Sequence, residues 1–292
     1  MEDELLRFLY HQLCNSASGR SCRRGKFSDG IIVLIYLLGV LRNRSPCWAA
    51  DRRNWPLWLR RVLPCPSYSQ LMRRLKSISV RQLIDQISAQ CRQCVPCSQL
   101  KFCDGKPLVV GGFSKDPDAR WGKVPNSWAK GYKVHVLADS TGFIEAFEVT
   151  ALDAGESTVA ARLVREVNLD GVVIRADANY DSNRLYAAVS SRGGRLIAPR
   201  RKPGRGLGHH VQHSDRLRAI AELERDVGAM KTHRRMRVGV EQCLAHLTNL
   251  PFGLSPLPNF VRRLTRVNLW VSAKITLYHV HLNLSQLKAL AA

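Results

Sequence analysis

Residues 172–181, Val-Val-Ile-Arg-Ala-Asp-Ala-Asn-Tyr-Asp, decide the fold. The run from 171 to 176 is short and apolar, as in a strand buried on both faces, and 182–191 follows with helical spacing. A buried strand passing straight into a helix is the unit of a sheet covered by helices. Upstream, 158–167 predicts a helix, and 101–110, 131–139 and 143–151, rich in Val, Phe and Ile, predict strands. A Ser140-Thr-Gly142 turn joins the last two, so the three read as an antiparallel meander. Downstream, 195–198 predicts another strand. Residues 215–224 predict a helix within a polar loop between Gly204 and Met230, 238–250 a further helix, and 260–290 a long helical region. Before Leu100 the spacing is helical: Leu5, Leu6, Leu9 and Leu13 recur on one face, and 31–41, 68–75 and 80–91 predict three more helices, with Ser67 and Ser79 as N-caps. The expected architecture is α/β: a small all-helical domain over 1–97, then a mixed sheet flanked by helices over 98–292.

The chain carries 45 Lys and Arg against 23 Asp and Glu, a formal net charge of +22, which favours a nucleic-acid partner because neutralising phosphates releases counterions. A membrane surface is the weaker alternative. The longest apolar run, 31–40, is about half of the roughly 20 residues a bilayer crossing needs, so it reads as a core helix. The opening Met1-Glu-Asp-Glu lacks the basic start of a secretory signal, and a cytoplasmic location is expected. The nine cysteines read as reduced thiols. Cys91, Cys94 and Cys97, with Cys103 further on, look like half a zinc site, but no nearby His completes it, and the preferred reading is structural or incidental thiols.

Against this positive background stand three carboxylates at the ends of apolar segments: Asp104 in Phe102-Cys-Asp-Gly-Lys106, Asp177 at the end of the buried strand, and Glu241 in Arg237-Val-Gly-Val-Glu241. Acids without a His or Cys ligand set suit Mg²⁺ or Mn²⁺, and two such ions about 3.5–4 Å apart can align a phosphodiester for cleavage. Asp177 lies 73 positions after Asp104, so only a fold that makes their two strands neighbours brings the carboxylates together. Each acid also has a plainer reading. Asp104-Gly105 could be a turn. Asp177 and Asp181 could cap the helix that starts near Ser182, the preferred reading for Asp181. Arg237 and Glu241, four apart, could be a surface ion pair, although Val238, Val240 and Leu244 make that helix partly buried.

These contexts, in this order, resemble the DDE transposases of bacterial insertion sequences, over roughly residues 65–285. Gly131-Tyr-Lys-Val-His135 resembles their second-strand signature, Asp177-Ala-Asn-Tyr-Asp181 their Asp-x-x-Tyr-Asp motif, Pro199-Arg-Arg-Lys202 the basic stretch after the fifth strand, and Arg237-x-x-x-Glu241 their Arg-x₃-Glu. The resemblance implies a ribonuclease-H-like catalytic domain and an active site of Asp104, Asp177 and Glu241 holding two Mg²⁺ or Mn²⁺ ions. Arg237 would lie near the phosphate, and Lys133 and His135 would line the approach. It implies double-stranded DNA, both element ends and target, as partner, a homodimer in the DNA complex, no membrane association, and a place at the bacterial nucleoid. Two positions depart from the pattern: Arg234 stands where relatives commonly have Tyr, and Thr248 where many have a basic residue. The gap between Asp177 and Glu241 leaves no room for the large inserted β-domain of some branches.

The phosphate contacts expected from charge are Arg200, Arg201, Lys202 and Arg205, with Arg73, Arg74 and Lys76 on the 68–75 helix; for the last three a solvated basic face is an equal alternative. The function expected is metal-dependent hydrolysis and strand transfer at element ends. A catalytically silent DNA-binding derivative and a nuclease that cuts without joining are the rivals.

Overall fold

The computed structural model describes residues 1–14, 27–94, 98–207, 209–225, 227–254 and 256–291. Six helices come first: α1 (Glu2–Cys14), α2 (Asp29–Leu41), α3 (Pro46–Ala49), α4 (Leu57–Val62), α5 (Tyr68–Arg74) and α6 (Ile78–Gln93). The apolar run at 31–40 lies in α2, which has no polar face. Residues 32–41 are all buried, and α1, α3, α5 and α6 surround the helix. Its N-terminus is capped by Ser28, whose hydroxyl accepts from the Ile31 amide. Ser67 caps α5 through a reciprocal pair with Gln70, as expected. Ser79 does not cap α6. Ser77 occupies that position in extended conformation, and its hydroxyl donates back to the Arg74 carbonyl, leaving Ser79 in the first turn. Helices α3 and α4 are too short for their periodicity to be read.

The strands are β1 (Leu100–Val109), β2 (Arg120–Val124), β3 (Ser127–Asp139) and β4 (Ile144–Ala151). Then come α7 (Glu156–Leu163), β5 (Val173–Arg175), α8 (Asn183–Ser190), β6 (Arg195–Ile197), α9 (Ser214–Arg225), α10 (Val227–Asn249) and α11 (Leu264–Ala291). They form one mixed sheet in the order β2-β3-β1-β5-β6, with β4 also paired to β3. β3 is antiparallel to β1, β2 and β4, whereas β1, β5 and β6 run parallel. The meander is therefore as expected, with one added strand. β2 forms a hairpin with β3 around Pro125 and Asn126, the latter in the left-handed region at φ 62°. Its Gly122 has no room for a side chain, since a Cβ there would lie 2.6 Å from the Leu152 carbonyl oxygen.

The two sheet faces pack against different cores. On one face, Leu108, Tyr132, Val134, Val136 and Ala138 join α1, α2 and α6, the Cys243–Leu247 part of α10 and α11 in one continuous cluster. The first 94 residues therefore share their core with the sheet. On the other face, Cys103 and Leu137 meet α7, α8 and the inward side of β5 and β6. Two buried polar anchors hold α11. The Lys274 ammonium donates to the Val40 carbonyl (2.9 Å), Asn43 Oδ1 (2.6 Å) and the Phe252 carbonyl (2.6 Å), and burial pulls its pKa down to about 7. His279 Nε2 accepts from the Ile144 amide at 3.0 Å, so its hydrogen sits on Nδ1, 2.7 Å from Ser88 Oγ. Burial holds its pKa near 3.

Two further expectations change. α10 starts at Val227, well before 238, because His233 anchors its first half to β5 although the surrounding sequence is polar. Asp181 does not cap α8. Ser182 does, and the Asp181 carboxylate accepts instead from Arg216 Nε (2.6 Å) and Nη2 (2.7 Å) and from the Arg201 amide (3.1 Å), tying α9 to the segment after β6. Among the described residues no helix is long and apolar enough to cross a membrane.

Candidate active site

The register of two parallel strands builds the centre of the site. Leu100 pairs with Val173 and Phe102 with Arg175, each pair 73 positions apart. Extended by two residues, the same register sets Asp104 beside Asp177, which also lie 73 positions apart. Asp104 is on β1, where it accepts the Gly105 amide at 2.8 Å. Asp177 stands just past β5 and caps a single 3₁₀ turn, Ala178–Tyr180, accepting the Asn179 amide at 2.8 Å. Both are half-buried. Burial is the main force pushing the Asp104 carboxyl up to about 6. The Gly105 amide and Arg237 oppose it, and Asp177 and Glu156 add to it. Asp177 is also raised, first by burial and then by Glu156, against the pull of the Asn179 amide and Arg237.

Arg237 arrives on α10, which packs across β1, β3 and β5. Two residues bring this helix close. Gly239 lies over the Phe102 ring, where a Cβ would sit 3.4 Å from a ring carbon. His233 is buried. Its Nε2 faces the Ala176 carbonyl at 3.2 Å, and its Nδ1 faces Arg175 Nη1 at 3.1 Å, which makes Nε2 the donor and Nδ1 the acceptor. Burial and Arg175 lower its pKa to about 4, consistent with that neutral tautomer. Arg237 itself is half-buried, and Glu241, one turn further along, is exposed.

Glu156, a residue the sequence reading passed over, acts electrostatically on both aspartates. It opens α7 on the other sheet face and accepts from Lys133 Nζ at 2.8 Å. A lone Glu at a helix start reads as an ordinary first-turn acid, so only the fold reveals it. His135 is not on an open approach. It is 1% exposed, and its Nε2 donates to Thr150 Oγ1 at 3.0 Å, since that hydroxyl itself donates to the Ala151 carbonyl. Its Nδ1 has no partner, and burial, with Lys133 and Arg162, lowers its pKa to about 4.

The structure thus brings together Asp104, Asp177 and Arg237, while Glu156 and Lys133 pair with each other on the opposite sheet face and Glu241 is exposed on α10. Among the described residues no group of three His, Cys, Asp or Glu is arranged to hold a metal ion. The expected phosphate contacts divide into two sets. Arg73, Lys76, Arg201, Lys202 and Arg205 are exposed. Arg74 is bound to Asp29 (2.5 Å) and the Phe27 carbonyl, and Arg200 faces Glu224 at 3.5 Å. Of the cysteine cluster, Cys97 lies outside the described residues. Cys91 is buried in the helical core and Cys103 in the core on the opposite sheet face, where burial and then Asp104 and Asp177 push its thiol up to about 12.

Two parallel strands lead to adjoining carboxylates within a chain of net charge +22. The sequence names the family: residues 96–273 match the Transposase DDE domain, and the chain belongs to that family. A cryo-EM structure of the piggyBac transposase synaptic complex with hairpin DNA shares the fold, with a TM-score of 0.52 at 13% identity over 97% of this chain and 72% of that one. No curated protein sequence matches significantly.

Proposed function

We propose that the chain cuts and joins DNA strands at the ends of an insertion sequence, with Asp104, Asp177 and Glu241 as ligands of two Mg²⁺ or Mn²⁺ ions. The observation that carries this reading is the β1–β5 register, which sets two half-buried carboxylates side by side beneath Arg237. The donors suit a hard cation: they are carboxylate oxygens, destabilised by burial and mutual repulsion, and a divalent charge would relieve both. Bound ions would neutralise the phosphate and align the attacking and leaving oxygens. The chain's own groups supply the rest. Asp104 and Asp177 would hold the ions from the strands and Glu241 from α10, while Arg237 would face the phosphate. Exposed Arg73, Lys76, Arg201, Lys202 and Arg205 would follow the DNA backbone.

In this reading the sheet order is ribonuclease-H-like, the boundary near residue 97 separates an end-binding helical part from the catalytic part, and two copies assemble on double-stranded DNA at the bacterial nucleoid. The test is insertion of an end-bearing DNA fragment into a plasmid target. Joined products with a short target duplication are expected, and cut ends that never join would remove strand transfer from the account.

A further inference from the structure

We propose that the cleft between α5 and the segment 259–266 binds an unpaired stretch of DNA strand, its bases against Tyr68 and Phe260 and its phosphates on the cations around them. The inference rests on the reading of DNA as the partner and concerns a surface apart from the carboxylates. Three observations carry it.

The first is charge. The cleft has a volume of about 720 Å³, and its lining includes Lys76, Arg81, Arg262, Arg263 and Arg266 but no acid. Among the described residues none of the five takes part in an ion pair. Acids that could neutralise them are engaged elsewhere. The Asp116 carboxylate accepts from the Tyr132 hydroxyl (2.7 Å) and the Arg263 amide (3.0 Å), and Asp85, one turn after Arg81, accepts from Ser272 Oγ (2.8 Å). Arg81 is half-buried, and its Nε has no hydrogen-bond partner. A guanidinium partly withdrawn from water and left uncompensated is costly, and an anion in the cleft would offset that cost. Arg81 also borders a second cavity, but Asp85, Glu145, Glu148 and Glu166 line that one and outnumber its two arginines. An anion is therefore directed to the first.

The second is the apolar part of the lining. Tyr68 is 49% exposed and Phe260 36%, so both rings are open to a ligand although they stand in a concave site. Neither is loosely held. Phe260 packs edge-on against the buried Trp270, with ring centroids 5.5 Å apart, and Tyr68 opens α5, whose start is fixed by the Ser67–Gln70 pair. Exposed rings on rigid supports beside cations provide the stacking faces and the backbone track that unpaired nucleic acid uses. A duplex keeps its base faces stacked inward, so it would engage the cations and leave the rings idle.

The third is that the segment is already ordered. Arg263 lies in the left-handed region at φ 73°, uncommon for a side-chain-bearing residue, and the Asp116 and Asp118 carboxylates hold it there by accepting from the Arg263 and Leu264 amides at 3.0 and 2.9 Å. Cations fixed before the ligand arrives lose less freedom on binding.

The test is fluorescence anisotropy of the full-length protein with a labelled, short, mixed-sequence single strand and, separately, with the blunt duplex of the same length. Tyr68→Ala and Phe260→Ala should each weaken single-strand binding about tenfold and change duplex binding by less than about twofold, and Tyr68→Phe should bind like wild type. Arg266→Gln should weaken single-strand binding several-fold and reduce its log–log salt slope by about 0.7. A strand carrying 5-iodouracil should photo-cross-link to Tyr68 or Phe260. Unchanged single-strand affinity in a folded Tyr68→Ala protein, equal losses for strand and duplex, or cross-links confined to residues outside the cleft would overturn the inference. Tyr68 is exposed, so this variant and the cross-link serve if Phe260→Ala does not fold. Wild-type protein that binds duplex while Tyr68→Ala leaves the single strand untouched removes only the cleft. Wild-type protein that binds neither DNA removes the reading of the partner, and the inference falls with it.

Discussion

Asp104 and Asp177 are placed by strands, whereas Arg237 comes to them on a helix, and different forces hold the two in place. The strand pair is set by backbone hydrogen bonds. A slip of one residue would turn every side chain of β5 to the opposite face and expose the apolar set that now fills the core, so the pairing is strongly specified. The helices depend on side-chain packing and buried polar pairs: α10, which carries Arg237, on His233 and Gly239, α7 on the Lys133 pair at its start, and α11 on its own Lys274 and His279. A site made this way should lose activity sharply when a ligand is removed, and more gradually when a helix anchor is loosened.

The largest expected effect on the helix side is from Glu241→Gln, which should reduce cleavage of a labelled end fragment by about a thousandfold if this exposed residue completes the metal site. Arg237→Ala should lose about ten- to a hundredfold, because it removes a phosphate contact and leaves the acids in place. Near-equal losses from the two would mean that α10 serves the site through Arg237.

Next comes Lys274→Met. It leaves the Val40 and Phe252 carbonyls and Asn43 Oδ1 without their donor, and should cost about 2–4 kcal/mol in denaturant unfolding. Unchanged stability would show that α11 is held by apolar contacts alone.

A smaller, pH-dependent effect should come from His279. Its folded pKa lies near 3, below the ordinary 6.5, so the unfolded chain takes up the proton first as pH falls. Its contribution is fully present above pH 6.5 and is lost between there and about pH 3. The loss should approach about 1.4 kcal/mol per pH unit inside that window, and His279→Gln should flatten the slope when melting is followed across it.

The same contrast explains what could be read in the sequence. Strands alternate or run apolar, so β1, β3, β4, β5 and β6 were legible, and that the strands of Asp104 and Asp177 are neighbours was expected from the resemblance. β2 was missed because Arg-Trp-Gly-Lys-Val, largely exposed, carries no apolar signal. The early start of α10 was hidden because the segment before Val238 is polar and is held by one buried histidine. Asp181 looked like a cap because an acid just before a helix usually is one, and its actual partner, Arg216, is 35 positions away. Glu156 was invisible for the same reason: its partner, Lys133, lies on β3, 23 positions before it.

The most direct test of the central claim is nicking of a labelled end fragment in Mg²⁺ or Mn²⁺, with EDTA as control, by Asp104→Asn and Asp177→Asn proteins. Both variants should keep wild-type melting temperature and salt-sensitive DNA binding, because the basic surface is untouched. Cleavage should fall by about a thousandfold or more in each, and the double variant should be no worse than either single, because the two act as one unit. A folded Asp177→Asn protein that nicks at the wild-type rate would contradict the account.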